Sequence, residues 1–160
     1  MIRFALLAGL LVILFNGCSD SGSGPAFQLA ELPDVRVTQV NYLQTDIERR
    51  VPDSALLSRF STAYGSKYSE ELKAALTDFI TRRATELGLS TAECRDCLLR
   101  TGQLDKGVIA LPYLAERAMY NSTEAWIFEF TWGLSTGLGH YRCFVMGAAK
   151  HDTLLYITCR

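Results

Sequence analysis

The chain has 160 residues, 49% hydrophobic and 21% charged, with sixteen Lys and Arg against seventeen Asp and Glu. That length carries one domain with a real core. A charge balance this close to zero gives no sign of the basic face that nucleic acid requires, and no long charge run or internal repeat points to a tail or an array.

The first seventeen residues differ from the rest. Arg3 is their one charge, and Phe4 to Phe15 is an unbroken apolar run. At about 1.5 Å per residue the run spans roughly 18 Å, short of a hydrocarbon core of about 30 Å, which favours a signal peptide over a membrane span. Phe15-Asn16-Gly17-Cys18 resembles the bacterial lipobox, in which a small residue precedes the cysteine to be lipidated. Phe15 departs from the usual Leu, and Asn16 is a less common choice. The resemblance implies cleavage before Cys18, a thioether-linked diacylglycerol there, an acyl group such as palmitate on its amine, and stable anchoring by several chains. The alternative is an ordinary secretory signal that leaves Cys18 as a thiol. Ser19 to Pro25 is a polar Ser/Gly tether. The expected organisation is a signal peptide over 1–17, a lipidated cysteine and tether over 18–34, and one domain over 35–160. The expected place is the cell envelope, lipid-anchored and facing the periplasm, with the outer membrane favoured over the inner because Ser19 follows the cysteine.

After an irregular arm, Val35 to Val40 reads as a short strand. Pro52-Asp53-Ser54 opens a helix that carries Leu56, Leu57, Phe60 and Tyr64 at helical spacing and stops at Gly65. A second helix starts at Ser69, has Glu70 and Glu71 in its first turn, and ends at Gly88. Ser90-Thr91-Ala92-Glu93 has capping-box spacing and opens a third helix running to about Arg100. From Lys106 the period becomes two. Residues 125–132, 141–146 and 153–159 read as strands, with a further strand over about 111–120, where Pro112 leaves a helix as the alternative. Asn121-Ser122 is a turn. The pattern predicts an α+β fold: about three helices in the N-terminal half packed on a C-terminal antiparallel meander of three to four strands, in two layers.

With Cys18 lipidated, Cys94, Cys97, Cys143 and Cys159 remain, an even number that reads as two disulfides in an exported protein. Cys94-Arg95-Asp96-Cys97 is either a local structural disulfide or a dithiol pair at a helix start, where the dipole favours a thiolate. Thioredoxins place such a pair after a core strand and add a cis-proline loop; here helix lies on both sides and Pro112 comes too soon. A turn centred near His151 would set Cys143 opposite Cys159, a bridge of about 3 kcal/mol in the chain-entropy model. A Cys97–Cys143 link is the other option.

Trp126, Phe128, Phe130 and Trp132 share one face of a strand. They form either the core face against the helices or an aromatic groove, a possible ligand or partner surface for peptide, lipid or glycan. Ala125, Ile127, Glu129 and Thr131 alternate with them and suit partial exposure. His140 and His151, with Asp152 and Glu129 nearby in sequence, match no zinc spacing, so no metal and no cofactor is expected. Ser135 lacks the Gly-x-Ser-x-Gly elbow of a hydrolase triad. Gly133 to Gly139 joins two strands and lacks the lysine of a phosphate loop. Asn121-Ser122-Thr123 matches a glycosylation sequon by coincidence.

Residues 125–158, an aromatic strand, a Tyr-containing strand, a turn and a Leu-Leu-Tyr strand, weakly resemble PepSY-type or cystatin-like envelope modules. Gly147 to Asp152 stands where that family has Asp-Ala-x-Thr-Gly. The resemblance implies at most an inhibitory or binding role. Three functions are open: a non-enzymatic envelope lipoprotein with a protein partner, a periplasmic dithiol-disulfide oxidoreductase using Cys94 and Cys97, and a carrier of a lipid or other apolar ligand.

Overall fold

The computed structural model describes residues 32–64, 69–103, 109–133 and 138–158. The chain is α+β, with strand β1 (Asp34–Tyr42), helices α1 (Gln44–Glu48), α2 (Ser54–Tyr64), α3 (Glu70–Glu86) and α4 (Thr91–Gln103), then strands β2 (Ile109–Tyr120), β3 (Thr123–Gly133), β4 (His140–Gly147) and β5 (Thr153–Thr158). The signal peptide, Cys18 and residues 19–31 of the expected tether lie outside the described residues; its last three residues belong to the fold, with Leu32 and Pro33 buried and Asp34 opening β1.

Local chemistry sets the helix ends. Asp53 accepts from the amides of Ala55 and Leu56, both at 3.0 Å, and starts α2. Ser69 accepts from the Leu72 amide at 3.1 Å and Ser90 from the Glu93 amide at 3.2 Å. Beyond α3 the Gly88 amide bonds to the Thr85 carbonyl and the Leu89 amide to the Ala84 carbonyl, both at 2.9 Å. This paired closure needs a left-handed residue, and Gly88 supplies φ +79°. α1 is a short turn of helix with one apolar side chain facing in, Ile47, too little periodicity to be read from sequence.

The sheet runs β1-β2-β3-β4-β5, with β1 parallel to β2 and the other neighbours antiparallel. Asn121 (φ 46°) and Ser122 (φ 63°) make the two-residue hairpin turn that residues tolerant of positive φ allow. β1 clamps this hairpin: the Asn121 amide donates to the Tyr42 carbonyl and the Ser122 amide to the Asn41 side chain, each at 2.9 Å. Residues 109–120 are strand, not helix. Pro112 sits beside a register shift against β3, the place in a strand where a missing N–H is tolerated.

Both sheet faces are covered, so the expected two layers become helix, sheet and helix. On one face Trp126, Phe128 and Phe130 pack with Phe144 and Met146 beneath Ile80 and Ala84 of α3 and Cys94, Cys97 and Leu98 of α4. On the other, Ala125, Ile127, Cys143 and Val145 pack beneath Ile47 of α1 and Leu56, Phe60 and Tyr64 of α2. Leu72 and Leu76, in the first half of α3, join this second cluster. The strand positions expected to be partly exposed, Ala125, Ile127, Glu129 and Thr131, are all buried. The meander has four strands, β2 to β5, and the short strand expected over 35–40 is β1, which joins its edge as the fifth strand of the sheet. α4 also runs three residues past the expected end.

Gly88→Ala tests the helix end. A Cβ there meets nothing within 4 Å, so its cost is backbone conformation alone. Urea unfolding should show a loss of about 1–2 kcal/mol, and an unchanged midpoint would contradict the left-handed closure.

Candidate functional site

Two places gather groups with chemistry to offer: a charge centre under α1 and α2, and a groove between α3 and α4.

The charge centre begins with two buried carboxylates on adjacent strands, Glu116 on β2 and Glu129 on β3. Arg50, just past α1, reaches between them. Its Nη2 donates to Glu116 Oε2 at 2.6 Å and its Nε to Glu129 Oε1. Glu116 also accepts from Thr38 Oγ1 at 2.8 Å, Tyr42 OH at 2.9 Å, and Arg36 Nη2 and Nε at 3.0 and 3.3 Å. A carboxylate offers about four lone-pair sites, so Glu116 is saturated. Tyr113 is the extra residue at the β2 register shift, and its hydroxyl donates to Glu129 Oε2 at 2.6 Å.

The electrostatics follow from burial and charge together. Burial alone would raise the Glu116 carboxyl, but the hydrogen bond and charge of Arg50, with Thr38 and Tyr42, hold it at about 2. Burial would lower Arg50, and the carboxylates of Glu129 and Glu116 reverse that and raise it. Tyr113 is raised by burial and then by the Glu129 charge. Arg36, Tyr42, Asp46, Arg50, Asp53 and Glu129 border a cavity of about 230 Å³ beside this centre. Glu116 is filled by donors and Glu129 is held by Arg50 and Tyr113, an arrangement suited to holding elements together.

The second place is open. Ala110, Pro112, Phe130 and Leu98 floor a pocket of about 210 Å³, buried Thr101 lies in its wall, and Lys73, Thr77, Leu99, Gly102 and Gln103 rim it. Lys73, Thr77 and Leu99 also line an outer groove of about 640 Å³ that continues along Glu70, Ala74, Asp78 and Arg95. The floor is apolar and nearly sealed, while Leu99 is 56% exposed at the junction.

The residues singled out by sequence are placed differently. Trp126, Phe128 and Phe130 are 0–4% exposed under α3 and α4, so they are core and not a surface groove. Trp132 is partly exposed beneath the Arg142 guanidinium, 4.2 Å from its ring centre. Phe130 alone reaches an open pocket, as its floor. Cys94, Cys97 and Cys143 are buried and unbonded. Cys97 and Cys143 lie on opposite faces of the sheet, which rules out their cross-link. β4–β5 pairing sets Cys143 opposite Ile157, not Cys159, because the register is offset from a turn centred on His151. Cys159 and Ser135 fall outside the described residues. His140 is exposed on the sheet face opposite Glu129, and His151 lies 3.8 Å from Asp96. Among the described residues no group of three or more possible metal ligands converges. Glu93, expected to close a capping box, instead accepts from Trp126 Nε1 at 2.7 Å and pairs with Arg117 at 3.2 Å.

Sequence reasoning missed Arg50, Glu116 and Lys73. One signal for the charge centre was present: Glu129 is the only charge in the strand from Trp126 to Trp132, and a charge amid aromatic residues demands a buried partner.

Two measurements test these assignments. The Glu116 carboxyl is lowered on folding from 4.5 to about 2. Its stabilisation is therefore complete above pH 4.5 and is lost as pH falls through 2, on the order of 3 kcal/mol. Wild type should lose more stability than Glu116→Gln across that window; parallel acid titrations would contradict the network. Burial first, then neighbouring negative charge, pushes the Cys94, Cys97 and Cys143 thiols up to about 12. All three should resist alkylation at pH 8 in the folded protein and react in urea, counted by mass, whereas rapid labelling of Cys94 or Cys97 in the native state would revive a reactive dithiol.

No protein-family model matches this chain, and no curated protein or solved structure does either.

Proposed function

We propose that the chain is an exported lipoprotein, held to an envelope membrane through lipid on Cys18, and that its folded domain binds a protein partner rather than catalysing a reaction. The observation that carries the binding reading is the α3–α4 groove: an apolar pocket opening into a longer channel with charged walls. An anchor side chain in a pocket surrounded by polar contacts is the usual organisation of a protein-binding hot spot. The lipobox resemblance and the short apolar leader support the anchor.

The other two functions fit less well. A dithiol oxidoreductase needs a thiolate, and Cys94 and Cys97 are shifted away from one by burial. A lipid carrier needs an enclosed apolar cavity, and only the inner space of about 210 Å³ has an apolar floor, while the outer groove is open and walled by Glu70, Lys73, Asp78 and Arg95.

Intact mass of the protein extracted from its own membranes should show a chain starting at Cys18 with acyl groups; an intact Met1 removes the anchor. Hydrogen-exchange footprinting, comparing native envelopes with purified protein, should show added protection at residues 70–78 and 95–103. Identical exchange in the two states would end the partner reading.

A further inference from the structure

We infer that the α3–α4 pocket receives the carboxy-terminal residue of a polypeptide, its apolar side chain on the floor and its free carboxylate on the Lys73 ammonium. This deepens the protein-binding reading and rests on it.

The pocket's polar groups narrow the ligand. Thr77 Oγ1 donates to the Lys73 carbonyl at 2.9 Å and Thr101 Oγ1 to the Leu98 carbonyl at 2.7 Å, so both hydroxyls of the pocket have their protons committed to their own helices. That leaves the Lys73 ammonium and the Gln103 amide at the rim. Arg95, the other cation of the groove, is paired with Asp78 at 2.8 Å. Lys73 forms no ion pair with a described residue. Its Nζ stands above Gly102, 3.9 Å from where a Cβ would be, at the carboxyl end of α4. An apolar well with a cation at its lip that pairs with no described residue suits an apolar group carrying a negative charge at its outer end.

Several ligands carry such a charge, and the dimensions choose among them. Asp and Glu side chains put the charge at the tip, where it would be driven into the Phe130 floor. An acyl tail puts its charge correctly but outgrows a well of about 210 Å³. A terminal amino acid bears its apolar side chain and its carboxylate on one Cα, so one enters as the other stays at the rim. The preceding residues then run outward past Leu99 into the channel lined by Glu70, Asp78 and Arg95. Alternating charges there suit a hydrated main chain and not a lipid tail.

The test uses the full lipidated chain in nanodiscs and dye-labelled hexapeptides ending in Leu or Phe, each offered as free acid and as carboxy-terminal amide. Anisotropy should show the acid binding at least tenfold tighter than the amide. Lys73→Gln should abolish that difference. Gly102→Leu should block binding of either form, and because its Cβ meets only a flexible Lys73 tip it should fold as wild type does. Equal binding of acid and amide would overturn the carboxylate assignment. Tighter binding of laurate than of any peptide would overturn it in favour of a lipid amphiphile. No peptide binding at millimolar concentration would overturn it too. Groove protection in native envelopes combined with acid–amide equality separates the two ideas: the partner reading stands and the terminal-carboxylate reading falls.

Discussion

Two carboxylates under the helices would each cost several kcal/mol to bury alone, and Arg50 between Glu116 and Glu129 is what makes that half of the molecule possible. The arginine comes from the connection between α1 and α2, so closing the ion triad also seats both helices on the sheet. Arg36, Thr38 and Tyr42 add β1 to the same assembly through Glu116. Breaking one partner of such a group strands a buried charge, so the arrangement specifies structure more than it adds net stability. Register is the clearest case. β1 pairs in parallel with β2, setting Arg36 opposite Glu116. A slip of one residue would turn Arg36 and Thr38 to the other face and present Val35 and Val37 to the carboxylate.

The sheet consequently separates two unlike interiors. One, under α3 and α4, is built on Trp126, Phe128, Phe130 and Phe144 with Cys94, Cys97 and Met146; the other, under α1 and α2, mixes leucines with Phe60, several tyrosines and Cys143 and carries the charged margin. This division bears on the thiols. An even set of cysteines in an exported protein suggests disulfides, yet sequestration protects a thiol as well as oxidation does. Cys94 and Cys97 face the interior under α3 and α4, Cys143 lies across the sheet, and all three are held far from the thiolate form that exchange requires. Unbonded thiols here are therefore compatible with an oxidising compartment, and the lipid-anchor reading does not depend on disulfides.

How much of this could be read from residues alone depended on how local the controlling chemistry was. The starts of α2, α3 and α4, the Gly88 stop and the Asn121-Ser122 turn depend on side chains within a few positions, and the sequence names them. The three C-terminal strands declare themselves by aromatic and β-branched alternation. Long-range pairing left no such trace. Val35–Val40 reads as a strand, but nothing nearby says that it crosses four helices to lie parallel with β2. Glu129 reads as a partly exposed position because alternation assigns a face, not what covers it. Arg50, Glu116 and Lys73 look like ordinary surface charges until distant elements are brought to them.

The location of the open groove follows from that crossing. β1 joins β2 only from Leu114 onward, so among the described residues the first part of β2 has no strand on that side. A bare edge normally invites another strand, but Pro112 removes a donor there and the register shift bends the chain. The edge is covered instead by α3 and α4, whose side chains cannot interlock with the pleat as a strand would. Ala110 and Gly102 are too small to close what remains, and Phe130 is left as the base of a well. The late start of β1 pairing, fixed by Glu116 and its partners on one face, thus leaves an unfilled space on the other, and a binding function can use it without disturbing either core.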